Sequence, residues 1–176
     1  MQAQEKEYSF SYKEALSAAM QELAADPLTI FLGQGVREKG TFMSTTMMEV
    51  PLEKRIEFPV AEECQLGVSI GMALDGFIPI SIFPRWNFLL LAANQLISHL
   101  DKMKAHVIVR VGVGSTKPLD PGPQHTGNFA QAFESMCQNT RFVTLETADM
   151  ILPAYREALM HKGPTVLTEI ADLYAS

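Results

Sequence analysis

Two cysteines, Cys64 and Cys137, are all that the sequence contains. They are too few for a disulfide framework and lack the CxxC spacing of a metal or redox pair. Both read as small hydrophobes of a reducing compartment. Positive charge is scarce too: 14 Lys and Arg stand against 20 Asp and Glu, a net charge of −6. With no basic stripe anywhere, nucleic acid is excluded as a partner. Long apolar runs are missing, and the longest, Phe88 to Ala93, is far too short to span a bilayer. Residues 1–10 carry Glu5 and Glu7 and no apolar core of a secretory signal. The expectation is a cytoplasmic protein without a membrane span. Phosphate-loop, GxGxxG, GxSxG and HExxH signatures are absent as well. Gly112-Val113-Gly114 follows a strand-like run, but no helix opens after it.

What is present is an alternation of helices and strands. The 176 residues, 47% apolar and 19% charged, suffice for one domain with a buried core. Ser11 and Glu14 form a capping-box pattern, and apolar positions then recur at helical spacing until Asp26-Pro27. Thr29 to Leu32 is a short buried-strand profile ending at Gly33. Residues 34–50 read as a long loop holding a short helix, and Arg55 to Pro59 as a brief extended piece. A helix follows from Glu62 to Leu74, closed by Gly76. Pro79 to Phe83 is a strand, Phe88 to Met103 a longer helix, and His106 to Val111 the clearest strand. Gly112 to Pro123 is rich in glycine and proline and reads as a surface loop. Residues 126–137 are predicted helical, 142–145 a strand, 149–161 a helix that Pro153 forces to start late or kink, and 165–167 a last strand. No repeat or linker interrupts this order. It predicts an α/β three-layer sandwich with a mainly parallel sheet of about five or six strands. Ligands of such sheets bind at the carboxyl ends of the strands, which directs attention to the loops after Phe58, Phe83 and Val111.

Several residues near those loops invite a functional role. Glu62 and Glu63 open a helix, a place that acidic residues favour through the helix dipole alone. Gly67 and Gly71 lie on one face of that helix, where each costs roughly 1 kcal/mol against alanine. A close backbone approach would offset that, either inside the domain or from a partner chain. Phe83, Trp86 and Phe88 cluster past a strand end and suit a core as well as a ligand platform. His125 is an acid–base candidate in a loop. Arg110 and Lys102 read as solvated charges. Composition and pattern stop at an α/β domain with a site near Glu62 and His125.

Pro59-Val60-Ala61-Glu62, followed by Gly67, Gly71, Gly76 and Pro79, resembles the pyrimidine-binding domain of thiamine-diphosphate enzymes. The nearest resemblance is to the beta subunit of the first component of 2-oxo acid dehydrogenases, with transketolases more distant. Asn87-Phe88 with Asn94-Gln95, Val109-Arg110, Gln124-His125 and the closing Pro164-to-Glu169 segment resemble further family segments, so the likeness covers nearly the whole chain. The resemblance implies the thiamine-diphosphate-binding fold. It implies that Glu62 bonds the pyrimidine ring nitrogen and favours the tautomer whose imino group removes the thiazolium C2 proton. It implies that Phe88 stacks on the pyrimidine, that Val60 is an apolar contact beside it, and that His125 faces the substrate.

The same resemblance sets expectations about what lies elsewhere. The family's magnesium signature, Gly-Asp-Gly with a later Asn, is absent from these residues, as is the carboxyl-terminal domain of the beta subunits. Residues 1–176 are therefore expected to form a single pyrimidine-binding domain. A separate subunit would hold the magnesium and the diphosphate of thiamine diphosphate, with self-pairing of this chain in a heterotetramer. Asn94 stands in place of the usual Asp, Ile82 at an often acidic position, and Arg110 to Gly114 departs from the common Arg-Gly-Pro-Asn-Gly. His161 replaces an acidic ligand of a monovalent cation, so that ion is not expected. Within the family, a non-oxidative decarboxylase is the alternative reaction. A non-catalytic pairing subunit is the alternative of another class, which retention of Glu62, Phe88 and His125 together argues against.

Overall fold

A computed structural model describes residues 10–38, 40–116 and 120–175. Glu5, Glu7 and residues 117–119 of the Gly/Pro-rich loop lie outside the described residues. Chain order is α1 (Tyr12–Ala25), β1 (Thr29–Gly33), β2 (Arg55–Glu57), α2 (Glu62–Leu74), β3 (Ile78–Phe83), α3 (Trp86–Leu89), α4 (Asp101–Met103), β4 (Ile108–Val113), α5 (Ala130–Met136), β5 (Arg141–Leu145), α6 (Ala148–Met160) and β6 (Thr165–Ile170). The six strands make one sheet in the order β2-β1-β3-β4-β6-β5, with every pairing parallel. Strands buried on both faces explain their near-continuous apolar runs. On one face α1, α6 and the 34–50 loop cover Phe31, Ile80, Ile82, Ile108 and Leu167. On the other, α2, the 86–103 helix and α5 cover Phe83, Val109, Val111 and Val166. The result is a three-layer α/β sandwich.

Local signals explain several boundaries. The capping box forms: Glu14 N–H donates to Ser11 Oγ at 3.3 Å, and Ser11 N–H donates to the Glu14 carboxylate at 2.9 Å. Gly76 closes α2 in a left-handed conformation, φ +97°, as its position predicts. The 34–50 loop holds a single 3-10 turn, Met43–Thr46.

Other expectations need correction. The Phe88-to-Met103 helix starts at Trp86 and is irregular, passing from α3 through a 3-10 turn (Leu90–Ala92) and a π-helical stretch (Gln95–Leu100) into α4. Both ends are anchored. Trp86 Nε1 donates to Thr168 Oγ1 at 3.2 Å, and Asp101 Oδ1 accepts the backbone N–H groups of Gln138, Asn139 and Thr140 at 2.7–3.0 Å. The strand expected at 106–111 runs 108–113 instead, so Gly112 and Val113 are regular sheet. A Cβ on Gly112 would lie 2.5 Å from the Pro84 carbonyl oxygen, and this close crossing is what the glycine serves. The 126–137 helix is confined to 130–136, because Asn128 Oδ1 takes the Ala130 N–H at 3.1 Å and stops it from extending backward. α6 starts at Ala148 rather than late and carries Pro153 inside it. Cys64 is exposed rather than a core hydrophobe. Gly67 and Gly71 receive no backbone from this domain, since a Cβ at either would meet nothing within 4 Å.

Candidate functional site

The chain goes from β1 to β2 on one side and then crosses to β3 on the other, so strand order reverses between β1 and β3. Such a switch point opens a crevice at the carboxyl ends of a parallel sheet. The segments leaving those ends carry Gln34 after β1, Val60 and Glu62 after β2, Phe88 after β3 and His125 after β4.

Glu62 is the first residue of α2 and only 5% exposed, whereas Glu63 beside it is exposed. One helical turn on, Gln65 explains that placement. Its buried amide donates to Ser81 Oγ at 3.1 Å and to the Ile82 carbonyl at 3.0 Å, pinning α2 to the end of β3. Gln34 Nε2 donates to Glu62 Oε1 at 3.2 Å. Gln34 is itself held by its neighbours. Glu57, at the end of β2, accepts the N–H groups of Gly35, Val36 and Arg37 at 2.5, 2.9 and 2.9 Å. An open pocket at this end is lined by Ala61, Glu62, Glu63, Cys64 and Leu91.

Phe88 and His125 come together, their rings edge-on with centroids 5.6 Å apart. Both are partly buried, and the turn that carries His125 is closed by its N–H to the Gly122 carbonyl at 3.0 Å. His125 Nδ1 and the neighbouring Asn87 Oδ1 are buried without a hydrogen-bond partner among the described residues. Phe83 and Trp86, by contrast, are wholly core. Val60 is 78% exposed. No hydrogen bond or ring contact among the described residues joins Glu62 to Phe88 or His125. A buried carboxyl with lone pairs to spare can accept from a polar hydrogen, and a partly exposed aromatic side chain can take a flat ring against it.

Arg110 overturns the expectation of a solvated charge. It is 0% exposed and pairs with Glu169 on the neighbouring strand, Nε to Oε1 at 2.5 Å and Nη2 to Oε2 at 3.0 Å. Nη2 also reaches Thr46 Oγ1 at 2.7 Å and Tyr174 Oη at 3.0 Å, while Tyr155 and Tyr174 donate to the Glu169 carboxylate. Burial and the Glu169 charge hold both tyrosine hydroxyls well above their ordinary range, so they stay protonated donors. This network ties the 34–50 loop and the 171–175 turn to the sheet. Its signal in the sequence was a charge inside each of two apolar strands. Gln34 and Glu57 also went unnoticed. Gly33-Gln34-Gly35 at the end of a buried strand was the available clue.

Residues 8–175 match the family model described as the transketolase pyrimidine-binding domain. Among curated proteins, the chain is 35% identical over 98 residues to the 2-oxoisovalerate dehydrogenase subunit beta of Bacillus subtilis, covering 53% of this chain and 30% of that protein. It is 27% identical over 173 residues to the pyruvate dehydrogenase E1 component subunit beta of Cyanidium caldarium, covering 92% of this chain and 52% of that protein. A solved structure described as a split-gene transketolase, an inactive beta4 tetramer, superposes with a TM-score of 0.75 at 17% identity over 93% of this chain and 52% of that one. The chain thus spans 30–52% of the length of these relatives. No helix among the described residues is long and apolar enough to cross a membrane.

Proposed function

Because the chain belongs to the family of transketolase pyrimidine-binding domains, we propose that it is the pyrimidine-binding subunit of a split thiamine-diphosphate enzyme acting on a 2-oxo acid or a ketose. The observation that carries this is Glu62, a carboxyl buried at the switch point with one oxygen held by Gln34. When bound, thiamine diphosphate supplies a carbon nucleophile and an electron sink for carbonyl chemistry. Glu62 would hold a proton between its carboxyl and the pyrimidine ring nitrogen. Phe88 and Val60, the latter exposed in this chain, would hold the ring by apolar contact. His125 presents its unpartnered Nδ1 to the substrate.

The diphosphate and its magnesium belong, on this reading, to a separate subunit. The relatives support it: two are beta subunits and one is a split-gene transketolase. The exposed face of Gly67, Val68, Gly71 and Leu74 offers a place where another helix can approach closely, so self-pairing in a heterotetramer uses it. Calorimetry of this chain with thiamine diphosphate and magnesium is the test. Each 1.4 kcal/mol of lost anchoring weakens binding about tenfold, so the chain alone binds feebly and the partner subunit restores affinity. Tight magnesium-dependent binding without a second protein would overturn the split site.

A further inference from the structure

We propose that Gln34 is the positioning residue of this site, a neutral amide that orients the Glu62 carboxyl and insulates it from the other acids of the chain. The inference rests on the reading of Glu62 given above and adds what controls its proton. Gln34 is placed by construction. A Cβ on Gly33 would lie 2.6 Å from the Ile82 carbonyl oxygen, so glycine lets β1 finish hard against β3. Gly35 turns the chain at φ +66°, and Glu57 fastens the next three N–H groups at 2.5–2.9 Å. Gln34 stands between those two constraints and aims Nε2 at Glu62 Oε1, 3.2 Å away.

An amide in that place has a chemical consequence. It donates to the carboxyl but can neither accept nor release its proton. The charged and titratable groups on the surrounding elements are Arg37 and Glu38 on the turn, Arg55 and Glu57 on β2, Arg85 beyond β3, and Glu63 and Cys64 on α2. None of these bonds Glu62 among the described residues, and Glu57 spends its carboxylate on the turn. Oε1 accepts the Gln34 amide, and Oε2 accepts no hydrogen bond among the described residues, which leaves it for the ring nitrogen. A carboxyl in place of the amide would share the Glu62 proton and make the two titrate as a pair.

The test follows the carboxyl carbon of Glu62 by NMR across pH in the full 176-residue chain. The expected result is one step in the wild type and two in the near-isosteric Gln34→Glu, separated by more than about one pH unit. Gln34→Ala keeps a single step, and the carboxyl carbon resonance of Glu62 itself moves because its hydrogen-bond donor is gone. In the enzyme assembled with its partner, Gln34→Glu moves the acid limb of C2 proton exchange upward. An unchanged Glu62 carboxyl signal in both variants, with only thermal stability altered, overturns the positioning role. Wild-type exchange in Glu62→Gln overturns instead the functional reading beneath it, so the two failures are distinct.

Discussion

Replacing Arg110 by methionine removes the cation from the buried network and leaves Glu169, also 0% exposed, without its counter-charge. Four contacts vanish together: two to Glu169, one to Thr46 and one to Tyr174. Breaking a buried pair from one side costs roughly 3–5 kcal/mol, a large share of the 5–15 kcal/mol that holds a typical domain together. Urea unfolding of Arg110→Met is expected to show a loss of about 4 kcal/mol, and Arg110→Met with Glu169→Leu should recover at least half of it by removing the stranded charge. A cost under about 1 kcal/mol, the level of an exposed pair, would refute the reasoning.

Three further outcomes are expected. Glu62→Gln lowers C2 proton exchange in the assembled enzyme by at least about a hundredfold, while Glu63→Gln, altered on an exposed side chain, leaves it near normal; similar exchange in both would sink the assignment. His125→Ala lowers turnover by about tenfold or more with little change in cofactor affinity, and a variant that instead loses cofactor binding but keeps turnover at saturation shows the role to be wrong. Asp101 is buried, which pushes its carboxyl up, but hydrogen bonds from Asn139, Lys102, Thr140 and Gln138 outweigh this and hold it well below the ordinary range. Its stabilisation is therefore present above about pH 4 and fades as acid approaches the depressed value; acid unfolding should show Asp101→Ala destabilised by about 3 kcal/mol at neutral pH and converging with the wild type in strong acid.

The layer architecture was legible because buried parallel strands and covering helices have different apolar periods, and both are written plainly between Tyr12 and Leu167. Boundaries failed where tertiary contacts decide them. Nothing local says that Asp101 will cap residues 138–140, 37 and more positions away, or that the helix leading to it must widen to a π turn. Arg110 failed for a related reason, since a charge in a strand is indistinguishable from an exposed one until its partner, 59 residues later, is seen beside it. Of the candidate site, Glu62 was singled out by the family resemblance of its segment, and it lies buried at the start of α2; Gln34 was not singled out. Its partner lies 28 residues on, and only the parallel pairing of β1 with β2 brings the two strand ends side by side.

The carboxylates that the fold holds differ in how far their hydrogen-bonding capacity is met, which is what supports the reading of Glu62 proposed above. A carboxylate offers about four lone-pair positions. Glu169 fills them with two contacts from Arg110 and one from each of two tyrosines. Asp101 accepts three backbone N–H groups, the Thr140 hydroxyl, the Asn139 amide and Lys102. Even exposed Glu57 takes three N–H groups. Those three are spent on holding the chain together. Glu62, 5% exposed, accepts a single hydrogen bond among the described residues, from a neutral amide. Burying a carboxyl with so few donors is costly unless something else supplies them. The fold nevertheless builds that condition deliberately, with Gln65 pinning the helix beneath it and Glu57 pinning the turn beside it. The unmet hydrogen-bonding capacity of Glu62 is thus a built feature, and under the proposed function a ring nitrogen carrying a proton would complete it.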